Sequence, residues 1–401
     1  MRKNMIVTLK DITTKITKGT TPTSIGCKFE KSGINFIKSE SLVDGKTIDK
    51  SKFAFISERT HERLKRSQIE KNDILFSMAG MFLGKTGIAT AEVVPANTNQ
   101  AVAIIRVDDT KANYEYVYYY LNQKSVIHTI NTTSAQSAQP NINLKQIGEI
   151  KINLPDRKKQ DQIVSLLSAI DLKISNNVEI NDNLEQQAAT YFQELFINNA
   201  NPMWQISTIS DLGTVVGGST PSKTKPEYYT NNGIAWITPK DLSINKSKFI
   251  SHGENDITEL GLKNSSATVM PKGTVLFSSR APIGYIAIAS NEVTTNQGFK
   301  SVIPYSEIGT AFVYFFLKHS LPVIESAASG STFKEISGSA MKNIPAIIPD
   351  RNTLDQFNSF CAPIFAQQKI LEEQNHSLAM LRDSLLPKLM SSAIDIASIQ
   401  L

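Results

Sequence analysis

From Arg157 to Phe196 apolar residues recur at alternating steps of four and three: Ile163, Leu167, Ile170 and Ile174, then Leu184, Ala188, Tyr191 and Leu195. Asn177 and Asn181 take the two inner places between Ile174 and Leu184, and the stretch contains no Pro or Gly. A 3.5-residue apolar repeat held over several heptads predicts a helix that packs along its length against another helix. At 1.5 Å per residue it would form a rod about 60 Å long. A second stretch, 355 to 390, steps in the same way through Phe357, Phe360, Ile364, Leu371, Leu378, Leu381 and Leu385, with Gln367 and Gln374 at two inner places. Pro363 falls inside this pattern and predicts a kink or a fresh helix start, and Pro387 should loosen the last turn. Each rod carries an apolar stripe that water disfavours, so the two are expected to pack on each other as an antiparallel pair. The seam would be built from Ile163, Leu167, Ile170, Ile174, Leu184, Tyr191 and Leu195 on one rod and Ile364, Leu371, Leu378 and Leu385 on the other.

The segments ahead of the two rods repeat one another about 200 residues apart, the mark of a duplicated unit. Gly19-Thr20-Thr21-Pro22 matches Gly218-Ser219-Thr220-Pro221, and residues 33–42 match 233–242. Lys71 to Ser77 matches Lys272 to Ser278. Gly87 precedes Thr98-Asn99-Gln100 as Gly284 precedes Thr295-Asn296-Gln297, and residues 150–156 match 344–350. The matches come in the same order, so the chain reads as globular unit, rod, globular unit, rod. Ile74 to Phe76, Val102 to Val107, Thr274 to Phe277 and Tyr285 to Ala289 read as strands, and Tyr114 to Leu121 and Ala311 to Leu317 as short helices. The expected fold is α+β: two similar α+β domains at 1–154 and 199–349, separated by long α-helices at 155–198 and 350–401 packed as an antiparallel coiled coil. Such a pair would place two similar binding faces at opposite ends of a ruler, and a DNA target would then show two short sites around an unread spacer.

Composition narrows the function classes. The two cysteines, Cys27 and Cys361, lie in different segments, so a disulfide framework is not expected and a reducing, cytoplasmic setting is. Residues 1–21 hold no apolar core of a secretory signal, and no apolar run is long enough to span a membrane. A formal charge of +5 is too mild to identify a nucleic-acid binder by itself. No metal-ligand spacing of His and Cys occurs. Pro155-Asp156 with Asp171-Leu172-Lys173 can be forced into a nuclease-like pattern, but Asp171 and Lys173 fall inside the rod, where they could not converge on a metal with a strand end. Gly80, Gly84 and Gly87 near Lys85 do not have the spacing of a phosphate loop. No catalytic and no metal-binding residues are assigned, and His61 reads as part of a solvated helix face.

Leu154-Pro155-Asp156 ahead of the first rod, Phe277 to Ala287 and Thr295 to Gly298 in the second unit, and Leu381 to Met390 near the end resemble motifs of the specificity (S) subunit of type I restriction–modification systems. The resemblance runs over nearly the whole length. It is also carried by Gln162-Ile163 and Ala169 to Ile174 at the start of the first rod, and by Gly330 to Ile336 in the second unit. Ser137 to Ile142 matches in the first unit, and Leu381 to Met390 resembles the family's C-terminal helix. The resemblance implies target recognition domains that each read half of a bipartite, asymmetric double-stranded DNA site. It implies helices that hold the spacing and dock two modification (M) subunits, and restriction (R) subunits that complete the complex. S-adenosylmethionine would then belong to M, ATP and Mg to R, and no cofactor to this chain. Two departures stand out: Lys158-Lys159 replace residues that are often acidic in the family, and Met78-Ala79-Gly80 stand where the second unit has Ser279-Arg280-Ala281. An interaction scaffold that binds proteins on a coiled-coil spacer remains the rival reading.

Phosphate contacts need Lys, Arg or backbone N–H, and base edges need Arg or Lys for guanine and Asn or Gln for adenine. The candidates at repeated positions are Lys38, Ser77, Lys85, Gln100, Lys240, Ser278, Arg280 and Gln297, with Lys334 near the backbone. Residues that read different half-sites should differ between the units. The unmatched loops therefore supply Lys46, Lys50, Lys52, Gln139, Asn141, Lys223, Lys225, Lys246 and Lys248 as candidate base readers.

Overall fold

The structure, a computed structural model, describes residues 5–43, 45–134, 141–330 and 334–394. The chain divides into two compact units, Met1–Leu172 with Leu378–Leu401, and Lys173–Ser377.

In the first unit a four-stranded antiparallel sheet runs in the order Thr13–Lys18, Val102–Val107, Ile74–Ser77, Thr86–Ile88. Its central strands carry buried residues on both faces, as a sheet covered on both sides requires. One face packs on the aromatic helix Tyr114–Leu121, whose first turn is capped by the Asn113 side chain accepting from Glu115 N and Tyr116 N. The other faces a second four-stranded sheet in the order Ala54–Ile56, Ile34–Ile37, Ala96–Thr98, Gln68–Ile69. A two-stranded ribbon, Met5–Thr8 with Lys151–Leu154, completes the unit.

The second unit repeats the plan. Its five-stranded sheet has the order Gly213–Gly217, Lys300–Pro304, Val275–Ser279, Ile283–Ala289, Phe249–Ile250. The four-stranded sheet has Tyr229–Thr230, Asn255–Ile257, Ile234–Ile237 and Thr294–Thr295, and the ribbon pairs Gln205–Thr208 with Pro345–Ile348. The helix Thr310–His319 takes the place of Tyr114–Leu121. Before the matching strands, Asn72 and Gly273 share a left-handed backbone (φ 71° and 89°), which closes the same tight turn in both units.

Strand register corrects one repeat match. Leu75 faces Gly87 across its ladder, whereas Leu276 faces Ala287. Gly87 therefore corresponds to Ala287, not to Gly284. The connection from this strand to Thr98 is three residues longer than its counterpart to Thr295, because Ile88 is equivalent to Ile288. The equal separation in sequence was coincidental.

The first long helix spans Arg157–Gln193 and ends in a π turn over Glu194–Asn198. The second spans Arg351–Met390 without interruption, so neither Pro363 nor Pro387 breaks it. Both prolines are exposed. The carbonyl each leaves unpaired thus meets water, while Phe357, Cys361 and Ile364 stay packed around Pro363 and hold the turn.

Within the first unit Ile163, Val164 and Leu167 join Leu386, Leu389 and Met390 in one core, and Asp171 accepts from Arg382 Nη1 at 3.0 Å. Ile170 is buried, and Leu385 packs at the edge. Within the second unit Ala188, Phe192 and Phe196 pack with Leu354, Phe357, Cys361 and Ile364, flanked by Leu184, Tyr191 and Leu195. Leu371 is buried; Ile174 and Leu378 are half-buried. Both segments run antiparallel: Asn177 Nδ2 donates to Asn375 Oδ1 (2.9 Å), and Gln356 Nε2 donates to the Tyr191 hydroxyl (2.7 Å).

The seam on the second helix is a strict heptad, but it departs from the expected positions at every second place. Phe360 and Leu381 are 40% and 44% exposed, and Gln367 and Gln374 face solvent. Their neighbours Cys361, Arg382, Gln368 and Asn375 take the inner places, with Gln368 Nε2 donating to Asn181 O at 3.1 Å. The inner places 361, 368, 375 and 382 keep the seven-residue spacing, each one residue on from the expected place, so between Phe357, Ile364, Leu371, Leu378 and Leu385 the seam steps by four then three rather than by three then four.

Candidate functional site

Each unit carries the same loop pair. In the first, Gly19 lies so close to Thr98 that an added Cβ would sit 1.8 Å from its carbonyl oxygen; in the second, Gly218 would meet Asn296 O at 2.1 Å. Glycine lets the two loops touch, and the chain then bonds across them: Thr20 N donates to Thr98 O (3.0 Å), Ser219 N to Thr295 O (2.8 Å). Asn99 and Asn296 are absorbed by the turn, their Oδ1 atoms accepting from Ala101 N (3.1 Å) and Gly298 N (2.9 Å). The glutamines are not. Gln100 and Gln297 are exposed, and each accepts a hydrogen bond on Oε1 from a threonine hydroxyl, Thr21 and Thr220 respectively. With the oxygen so engaged, the amide –NH2 faces outward as a donor, suited to a phosphate oxygen or a base acceptor.

Beside the first loop stands Arg66, whose Nη2 donates to Thr20 Oγ1 at 3.1 Å. Sequence reasoning missed it; the basic run Arg63 to Arg66 was the available signal. In the second unit Ser219 is held instead by Trp236 Nε1 (3.0 Å) through its carbonyl.

The other candidates scatter. Lys223, Lys225, Lys246, Lys334 and Asn141 are exposed, Lys246 over the Tyr285 ring (4.9 Å). Lys38 lies over Phe29 (5.3 Å) and 3.7 Å from Glu40. Lys50 pairs with Glu92, Lys52 with Asp49 (3.5 Å) and Lys240 with Glu254 (2.6 Å). Arg280 sits 3.3 Å from Glu335, and Lys85 is half-buried. Gln139 lies outside the described residues.

Three expectations are corrected by burial and a fourth, Lys46, by internal pairing. Ser77 and Ser278 are wholly inside, Ser278 Oγ accepting from Tyr285 N (2.7 Å). Lys248 is only 7% exposed and bonds Gln368 Oε1 at 2.6 Å. Lys46 reaches inward to Glu115 (2.5 Å) and Ser168 (2.8 Å). Ser77, Ser278 and Lys248 cannot meet DNA without unfolding their surroundings, and Lys46, half-buried, is committed to Glu115 and Ser168.

The forced nuclease pattern dissolves as well. Asp156 caps the first long helix, accepting from Lys159 N (3.0 Å), and Asp171 is held by Arg382 and the Tyr119 hydroxyl (2.5 Å). Among the described residues no group of three His, Cys, Asp or Glu side chains is placed to hold a metal. Burial pushes the Cys361 thiol up to about 12, so it is not an activated nucleophile. His61 turns inward, its Nδ1 against Asn97 Oδ1, rather than facing water. No described helix is long and apolar enough to cross a membrane.

The model of the type I restriction modification DNA specificity domain matches this chain twice, over residues 1–186 and 201–375. The chain belongs to that family. It is a DNA specificity subunit, a class with no catalysis of its own. The MjaIX specificity subunit of Methanocaldococcus jannaschii is 43% identical over 162 residues, 40% of this chain and 37% of that one. The chain thus spans well under half the length of that relative. The HindI specificity subunit of Haemophilus influenzae is 21% identical over 82% of this chain and 88% of its own. The crystal structure of the type I restriction–modification S subunit from M. genitalium shares the fold, with a TM-score of 0.57 at 16% identity over 96% of this chain and 95% of that one.

Proposed function

We propose that each unit of this specificity subunit reads one half of a bipartite, asymmetric DNA site. Residues 1–154 and 199–349 serve as the target recognition domains; residues 155–198 and 350–401 are the helices that set the spacing. The observation that carries this reading is the duplicated threonine–glutamine loop on two units whose neighbouring loops differ. A shared donor suits what both half-sites have in common, the phosphate backbone. Differing loops suit what they do not share, the bases.

Gln100, Gln297, Lys38, Lys85, Lys240, Arg280 and Lys334 are assigned to the backbone. Lys50, Lys52, Asn141, Lys223, Lys225 and Lys246 are assigned to sequence readout, joined by Arg66 on the first unit alone. The long helices leave Leu172, Val178, Ile180, Ile370 and Met380 exposed, which supports docking of two modification subunits along them. Restriction subunits would complete the complex in the cytoplasm. S-adenosylmethionine would be bound by the modification subunits, ATP and Mg by the restriction subunits.

Methylation mapping of a host carrying this chain and its modification subunit is the deciding experiment. A bipartite adenine-methylated motif that disappears when the chain is deleted is the expected result. Unchanged methylation with an intact complex would sink the reading in favour of a protein scaffold. A hydrogen bond to a charged group contributes about 1.5–3 kcal/mol. Gln100→Ala or Gln297→Ala should therefore weaken binding by about tenfold or more, equally across sequences. Titration against the target and a half-site-scrambled duplex would separate this from base reading, which would show up as a loss confined to one sequence.

A further inference from the structure

Lys46 and Lys248 stand in loops of unrelated sequence, yet the main chain makes them equivalent: Ile88 N donates to Lys46 O (2.9 Å) and Ile288 N to Lys248 O (2.7 Å). Each side chain then enters the same kind of node. Lys46 Nζ lies 4.4 Å from the centre of the Tyr119 ring, and Lys248 Nζ lies 4.8 Å from that of Tyr314. Each tyrosine hydroxyl donates to an acid on the first long helix, Tyr119 to Asp171 (2.5 Å) and Tyr314 to Glu185 (3.2 Å). The lysines face these acids: Lys46 is 4.0 Å from Asp171, and Lys248 pairs with Glu185. A second cation closes each node, Arg382 on Asp171 (3.0 Å) and Lys318 on Glu185 (2.6 Å). Burial drives Glu185 toward protonation, but Lys248 and Lys318 outweigh it and hold its carboxyl below the usual range.

The partners differ in detail. Lys46 adds Glu115 and Ser168; Lys248 adds Gln368 and the Phe365 ring, while its own N–H and that of Phe249 donate to Glu372 (2.8 and 3.1 Å). What the two units share is lysine, tyrosine, helix acid and second cation. Apolar packing alone tolerates sliding. A cation inside a ring of directional partners does not, because displacement leaves a buried charge unpaired.

We propose that Lys46 and Lys248 are positioning residues that key each recognition fold to the helix segment of its own unit, and so fix the phase at which each half-site is read. This rests on the bipartite-site reading above. The test uses the full chain with its modification subunit and a target library in which the half-sites are constant and the spacer varies. Wild type should methylate one spacer length. Lys248→Met and Lys46→Met should keep both half-sites but methylate neighbouring spacers, with preference for the original falling at least tenfold. Glu185→Gln, which keeps an accepting oxygen, should fall between, and serves if Lys248→Met does not fold.

A second measurement does not depend on DNA. Spin labels at Lys225→Cys and Gln187→Cys, on a Cys27→Ser background, report the distance between the recognition fold and the helix within the second unit. The distribution should broaden in Lys248→Met. Unbroadened distances, or broadened distances with an unchanged spacer, overturn the proposal. Absent methylation by the wild type would refute the bipartite-site reading instead, and the distances would then decide whether the lysine keys the fold.

Discussion

A helical turn added to both long helices, about four residues after Asn177 and the same number after Gln374, is expected to lengthen the preferred spacer while leaving both half-sites unchanged. The rise of 1.5 Å per residue gives about 6 Å of added length. At about 3.4 Å per base pair this corresponds to one or two base pairs. Inserting on both helices keeps Asn177 opposite Asn375 and Asn181 opposite Gln368, so the polar seam survives. A turn of four residues also rotates the helix beyond the insertion by about 40°, which favours the shorter of the two shifts wherever rotation and rise compete. Methylation mapping reads the outcome directly. Retention of the original spacer by a folded, methylating variant would mean that the helices are not the spacing device.

Arg106→Ala should destabilise the first unit by roughly 3–5 kcal/mol, the loss expected when one member of a buried ion pair is removed. Asp73 is wholly buried. Its two oxygens accept from Arg106 Nε and Nη2 at 2.8 Å each, and Oδ2 also accepts from Glu70 N at 2.7 Å. Without the guanidinium the buried carboxylate loses its main partner. The second unit solves the same position differently: Thr274 and Ile303 stand where the first has Asp73 and Arg106, and Thr274 Oγ1 donates to Pro271 O (2.7 Å). The double change Asp73→Thr with Arg106→Ile should therefore cost much less than Arg106→Ala. Urea melts of the three proteins would show the order. A double variant as unstable as the single one would mean that the pair carries net stability that the apolar version cannot replace.

The heptads, the duplicated unit and the α+β character were legible from residue pattern alone. Periodicity and repetition are local properties, and the local backbone obeys them: the helices Arg157–Gln193 and Arg351–Met390 and the strand Val102–Val107 form where the pattern called for them. The glycine–threonine–proline loop and its glutamine were legible too, because a close backbone approach demands the same residue twice.

The expectations that failed depended on distance across the fold. The seam takes Cys361 and Arg382 in place of Phe360 and Leu381 because adjacent residues flank the same stripe and only what packs beside the helix decides which is covered. Pro363 did not break its helix because it lies on the solvent side, which residue order alone does not reveal. Lys46 and Lys248 looked like solvent-facing cations in polar loops, the ordinary place for lysine. Their partners Ser168 and Gln368 lie 122 and 120 residues further on. Whether a lysine meets water, DNA or a carboxylate is decided by what folding brings beside it. The sequence determined which elements form and that they form twice; only the tertiary structure decided which charged side chains face outward, because burial and pairing are properties of neighbours that are close in space and remote along the chain.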